Sequence, residues 1–130
     1  MNFFLLFLIA FVVFFLIDMV WLGLIAKNIY SKYLGYLMSP KVNWLAAIIF
    51  YVLFIIGLVF FVIHPAVQSE ASVGSVAFSG MLFGLITYAT YDLTNLATLK
   101  DWPIKITIID LIWGTFLGTA VSTITFLIGR

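Results

Sequence analysis

Three aspartates lie inside long apolar runs of this chain: Asp18, Asp92 and Asp110, out of five acidic residues in all. A carboxylate at the middle of a bilayer costs roughly 2.5–3.5 kcal/mol by insertion scales, so such residues face the interior of a bundle or a wet cavity. Asp18 precedes Lys27 by nine residues, Asp92 precedes Lys100 by eight, and Asp110 follows Lys105 by five. At about 1.5 Å per helical residue the three carboxyls stand roughly 13, 12 and 8 Å from lysines at one membrane face. One shared depth on three helices predicts convergence. Carboxyls gathered at low dielectric cannot all be ionised; they share a proton or meet a cation. That chemistry suits a proton carrier, a general acid/base pair or a hard-cation site. Asp92 and Asp110 are the candidate catalytic pair and Asp18 the residue that tunes them. The plain alternative is interhelical hydrogen bonding that holds the bundle together.

Helical phase supplies the neighbours. Tyr88, Tyr91 and Asn95 share one side of the third apolar run, with Asp92 at its edge, and Tyr51 of the second run reaches nearly the same height. These four are the candidate ligand-binding residues, together with Trp21 and Trp113. The two tryptophans belong to an internal echo, Ile17-Asp18-Met19-Val20-Trp21 and Ile109-Asp110-Leu111-Ile112-Trp113, whose i, i+3 spacing sets an indole beside each carboxyl. On the last run Thr107, Asp110, Gly114, Gly118, Ser122 and Thr125 fall within about 120° of arc. Gly80-x-x-x-Gly84 and Gly114-x-x-x-Gly118 predict close packing of the third and fourth helices. Phe4, Phe7, Phe11, Phe14 and Phe15 share the Asp18 face and read as packing.

The elements that must hold these residues follow from composition. The chain has 130 residues, 65% hydrophobic and 8% charged, against roughly 25% charged in a soluble domain. It reads as an all-α integral membrane protein, one transmembrane domain of four helices spanning about 3–26, 40–63, 73–99 and 102–128. Unbroken apolar runs argue against a β-barrel, whose strands alternate over about ten residues. The first run lacks a basic leader and a small-residue cleavage site, and reads as a retained helix. Ser39-Pro40 reads as the start of the second helix and His64-Pro65 as its end, while Asp101 opens the fourth. The connection from Lys27 to Ser39, with Tyr30, Tyr33 and Tyr36, reads as a segment in the headgroup layer. Lys27, Lys32, Lys41, Lys100 and Lys105 all fall in the first and third connections. By the positive-inside rule those connections are cytoplasmic and both termini lie on the outer side.

Composition also removes chemistries. With no cysteine there is no disulfide, thiolate metal site or cysteine nucleophile. His64 is the single histidine and cannot build a bis-histidine haem site. No basic tract offers a footprint for nucleic acid, so membrane lipids are the expected partners. The residues specify no particular metal or cofactor.

A set of runs carries a family resemblance: Asp18-Met19-Val20-Trp21-Leu22-Gly23, Pro65-Ala66, Gly80-x-x-Phe83-Gly84 and Tyr88-Ala89-Thr90-Tyr91-Asp92-Leu93-Thr94-Asn95. Ala97-Thr98, Trp102-Pro103 and Asp110-x-x-Trp113-Gly114 belong to the same set. Over nearly its whole length the chain resembles the bacterial predicted membrane proteins called domain of unknown function 2177. The resemblance implies a multi-pass protein of the bacterial inner membrane, brings no activity with it, and includes all three membrane aspartates among its motif residues.

Three functions of different class stay open. One is an enzyme or binding protein whose carboxyls meet a lipid-like or small ligand. Another is a proton-coupled transporter of a small solute or cation, for which so short a chain would need a homodimer. The last is an accessory subunit whose polar cluster only locks the bundle. All share one topology, which cysteine labelling checks. Cysteine at Ser69 should react with an impermeant reagent added outside intact cells, and cysteine at Ser31 should not. The reverse pattern overturns the orientation.

Overall fold

A computed structural model describes all 130 residues and has four long helices and no strands, each helix apolar and long enough to cross a membrane. They are α1 (Phe3–Leu34), α2 (Trp44–Gln68), α3 (Val73–Thr98) and α4 (Ile104–Gly129). Only 27 residues are buried, and large side chains such as Phe4, Leu24, Phe61 and Ile112 point outward. An outer surface this apolar is what a helical bundle presents to lipid. Packing centres on α4, which touches each of the other three helices and supplies buried residues from Ile106 to Gly129. Leu6, Ala10 and Phe14 of α1 and Phe54, Ile55, Leu58 and Val59 of α2 close with Leu117, Val121 and Phe126 into one apolar core.

Glycines fix the tightest contact. A methyl built on Gly80 would sit 2.5 Å from the Gly118 carbonyl oxygen and from Ser122 Oγ. Methyls on Gly84 and Gly118 would strike the Gly114 and Gly80 carbonyls. The α3 and α4 backbones therefore meet through the two small-residue stripes expected from the sequence.

Chain ends and connections sort to opposite ends of the bundle. Gly129 lies against Leu6 and Met1, so both termini share one end. At the other end the Tyr36 hydroxyl donates to the Asp101 carbonyl at 2.5 Å, tying the first connection to the third. Lys41 and Lys100 lie in those connections, Lys105 at the start of α4, and Lys27 and Lys32 in the last two turns of α1.

Several boundaries differ from the sequence reading, each for a local reason. The first helix does not stop near residue 26. It widens into a π-helical stretch, Trp21–Ala26, and continues as Lys27–Leu34, so the segment to Leu34 is helical and continuous with the first span. The second helix starts at Trp44, not at Pro40. Asn43 caps it by accepting from the Ala46 N–H at 3.2 Å, while Ser39 Oγ is occupied in a turn with Lys41. His64-Pro65 does not end that helix. A π-helical stretch at Val59–Ile63 comes just before the proline and the chain continues to Gln68. A widened turn of this kind accommodates a ring that would clash with the carbonyl four residues back. Asp101 does not open α4. It turns the chain at φ 62°, and Pro103 takes the cap position.

The glycine contacts make a graded test. Gly84→Ala and Gly118→Ala should each cost about 1–3 kcal/mol, because the obstacle is backbone and cannot swing aside. Gly57→Ala, which meets only the tip of the Phe83 ring at 2.9 Å, should cost less. Gly74→Ala faces open space and should be neutral or gain up to about 1 kcal/mol of helix propensity. Thermal unfolding in detergent reads the order.

Candidate functional site

A cavity of about 380 Å³ opens at the lysine end of the bundle, walled by all four helices. Twelve of its fifteen lining residues are hydrophobic or aromatic, which leaves few polar groups to orient anything inside. From α1 come Asp18, Trp21, Leu22, Tyr30 and Leu34; from α2, Ala47, Phe50 and Tyr51. The α3 helix adds Thr87, Tyr88 and Tyr91, and α4 adds Asp110 and Trp113. Met38 and Trp102, from the first and third connections, close the rim.

Of the candidates read from the sequence, Asp18, Asp110, Tyr51, Tyr88, Tyr91, Trp21 and Trp113 line this one cavity. Asp92 stands behind it. Its side chain is fully buried against Asp110, and neither carboxyl oxygen meets a hydrogen-bond donor. Asn95, one turn beyond Tyr91, lies outside the cavity wall. The three carboxyls do not converge as the ligand set of one metal ion would.

Local packing explains how the cluster is held. The glycine contact between α3 and α4 continues at Gly114, where the Tyr88 ring fills the space a side chain would take. Tyr88 then lies within electrostatic reach of Asp18, Asp110, Asp92 and Tyr51. The Asp-x-x-Trp echo has a structural outcome. Trp21 and Trp113 stack with ring centroids 4.4 Å apart and planes within 8°, joining α1 to α4 with an aspartate one turn away on each. Trp102 is buried, donates from Nε1 to Thr107 Oγ1 at 3.1 Å and meets the edge of Tyr91.

Sequence reasoning missed Trp102 and, at the centre of the cluster, Tyr30, whose hydroxyl donates to Asp110 Oδ1. Tyr30 follows Asp18 by twelve residues, which in an uninterrupted α-helix puts it about 120° away around the axis. A π turn spends one extra residue and brings that angle to about 20°. The stretch Trp21–Ala26 is that turn. No residue type in it announces the insertion, so periodicity alone turns Tyr30 away from the site.

Four membrane-length helices closed around a carboxyl-bearing aromatic cavity define a small polytopic membrane protein. The chain belongs to the family described as predicted membrane protein, DUF2177, whose family model matches residues 3–127. Among curated proteins and solved structures nothing matches.

The hydroxyl of Tyr30 gives a direct test. Tyr30→Phe leaves the Asp110 oxygen without its donor and should cost about 1–3 kcal/mol. Tyr33 meets Lys32 and Lys105 through the face of its ring, so Tyr33→Phe should leave the unfolding midpoint in detergent unchanged.

Proposed function

We propose that the protein binds an amphipathic or small organic ligand in the cytoplasmic half of the bacterial inner membrane. The observation that carries this reading is the cavity itself. A volume of about 380 Å³ with a mostly aromatic wall and two carboxyls, Asp18 and Asp110, has the size and mixed lining of a small-molecule site. The cytoplasmic assignment rests on the lysines gathered at the cavity's end, and the bacterial setting on family resemblance.

A purely structural lock accounts for less. Carboxyls retained to tie helices together would accept bonds from neighbouring helices, yet neither oxygen of Asp92 has a donor and only Tyr30 donates to Asp110. A buried polar group without a partner is uncommon enough to require a reason. In the binding reading Asp18 and Asp110 meet the ligand's polar part, Tyr51, Tyr88 and Tyr91 shape the wall, and Asp92 sets the field behind Asp110.

Native mass spectrometry of protein released directly from membranes tests the reading. Wild type should carry a small organic adduct that Ala47→Phe, which fills the cavity from α2, loses at an unchanged unfolding midpoint. Equal adducts on both proteins, or none on either, overturn it.

A further inference from the structure

We infer that the ligand of this cavity carries an organic ammonium group, primary to quaternary; the inference rests on the cavity being a binding site, as proposed above. Charge is the first ground. Asp18 and Asp110 line the cavity, Asp92 stands against Asp110, and no lysine or arginine is among the lining residues. The space therefore has acidic groups beside it from three helices, with no cation of the protein's own to answer them. Asp92 adds a second ground: it is fully buried, it faces Asp110, and neither of its oxygens has a donor.

The wall selects the kind of cation. Aromatic rings attract ammonium groups through their faces, more strongly when water is excluded. A bare metal ion instead asks for several converging oxygens, and the three carboxyls are not arranged to supply them. Few polar atoms and many rings fit a cation whose charge is wrapped in carbon. On the far side of the Trp21–Trp113 stack lies a second, wholly apolar groove lined by Leu16, Val20 and Phe116, and the two indoles are the only residues common to both spaces. A ligand with an ammonium head in the cavity has an apolar channel beside it for a chain.

The test uses the full chain in maltoside detergent, with Trp emission reporting equilibrium binding. Phenyltrimethylammonium is compared with its uncharged carbon isostere, tert-butylbenzene. The cation should saturate and bind at least about tenfold tighter than the isostere, the scale of a cation–π and charge contribution in a desolvated site. Asp18→Asn and Asp110→Asn should each weaken the cation at least about fivefold, a fraction of that same charge contribution, and leave the isostere unchanged. Asparagine keeps an acceptor for Tyr30, and should Asp110→Asn fail to fold, Asp18→Asn and the wild-type comparison decide the matter.

Equal affinity for the two probes, both lost in Ala47→Phe, overturns the ammonium assignment and leaves the binding site standing. Cation binding that survives Ala47→Phe places the charge preference elsewhere and overturns both. No saturable binding of the cation overturns the assignment, while the adduct measurement judges the binding site separately. Decyltrimethylammonium distinguishes the two sources of such a head. Tighter binding than phenyltrimethylammonium identifies a membrane amphiphile, and weaker binding a free amine; either outcome supports the assignment.

Discussion

The site depends on how closely two backbones approach. Where Gly80 and Gly84 meet Gly114 and Gly118, no side chain separates α3 from α4, and the helices touch through carbonyls and α-carbons. In lipid such contact is driven by packing, because neighbouring tails are as apolar as the helices themselves. Its consequence lies one to two turns farther toward the lysine end. Tyr88 takes the space beside Gly114, and Asp92 and Asp110 are brought face to face. With bulkier residues in the stripes, the helices would part and the carboxyls would separate toward lipid or water. The same contact that stabilises the pair thus produces its least favourable feature, two acidic groups together at low dielectric.

A second device, in α1, completes the wall. The π-helical stretch Trp21–Ala26 changes the register of everything after it, so one helix presents Asp18, Trp21 and Tyr30 to a single space. Single π turns recur at functional positions because they re-aim side chains without breaking the helix. Here the re-aimed side chain is the hydrogen-bond donor to Asp110. The helix is also carried on to Leu34, which roofs the cavity with residues that a straight α-helix would have turned toward lipid. Tyr36 pins the connection beyond it to Asp101.

Much of this was legible in the sequence, and the boundary of legibility is physical. Four spans follow from apolar length alone, and the α3–α4 contact follows from two glycine pairs whose only cheap use in a membrane is close approach. The common depth of Asp18, Asp92, Asp110, Tyr51 and Tyr88 follows from counting residues to lysines. What failed were quantities set by a single residue of register or by competition between neighbours. Asn43 outcompeted Ser39 as a cap because its amide met the Ala46 N–H. Pro65 did not end α2, since a widened turn relieved it. Tyr30 and Trp102 entered the site through a π insertion and through the Asp101 turn, which lie outside a regular period. Helical phase puts Asn95 on the site's side of α3, yet one further turn carries it past the cavity.

The energetics of the cluster separate a lock from a site. Each intramembrane carboxylate carries a cost of roughly 2.5–3.5 kcal/mol, offset in a structural role by hydrogen bonds to neighbouring helices. Such bonds are worth on average about 0.6 kcal/mol in a helical membrane protein, so three aspartates are a poor way to hold a bundle already closed by glycines and phenylalanines. Two threonines on α4 do without these charges: Thr115 and Thr119 bond back to their own helix at 2.7 Å. The aspartates instead gather beside the aromatic cavity and leave part of their bonding capacity unused. Unused bonding capacity beside a cavity is the physical form of a preorganised site, whose unfavourable terms are relieved when a complementary group binds. For carboxyls among indoles and phenols, that complementary group is positively charged and hydrophobic at its surface.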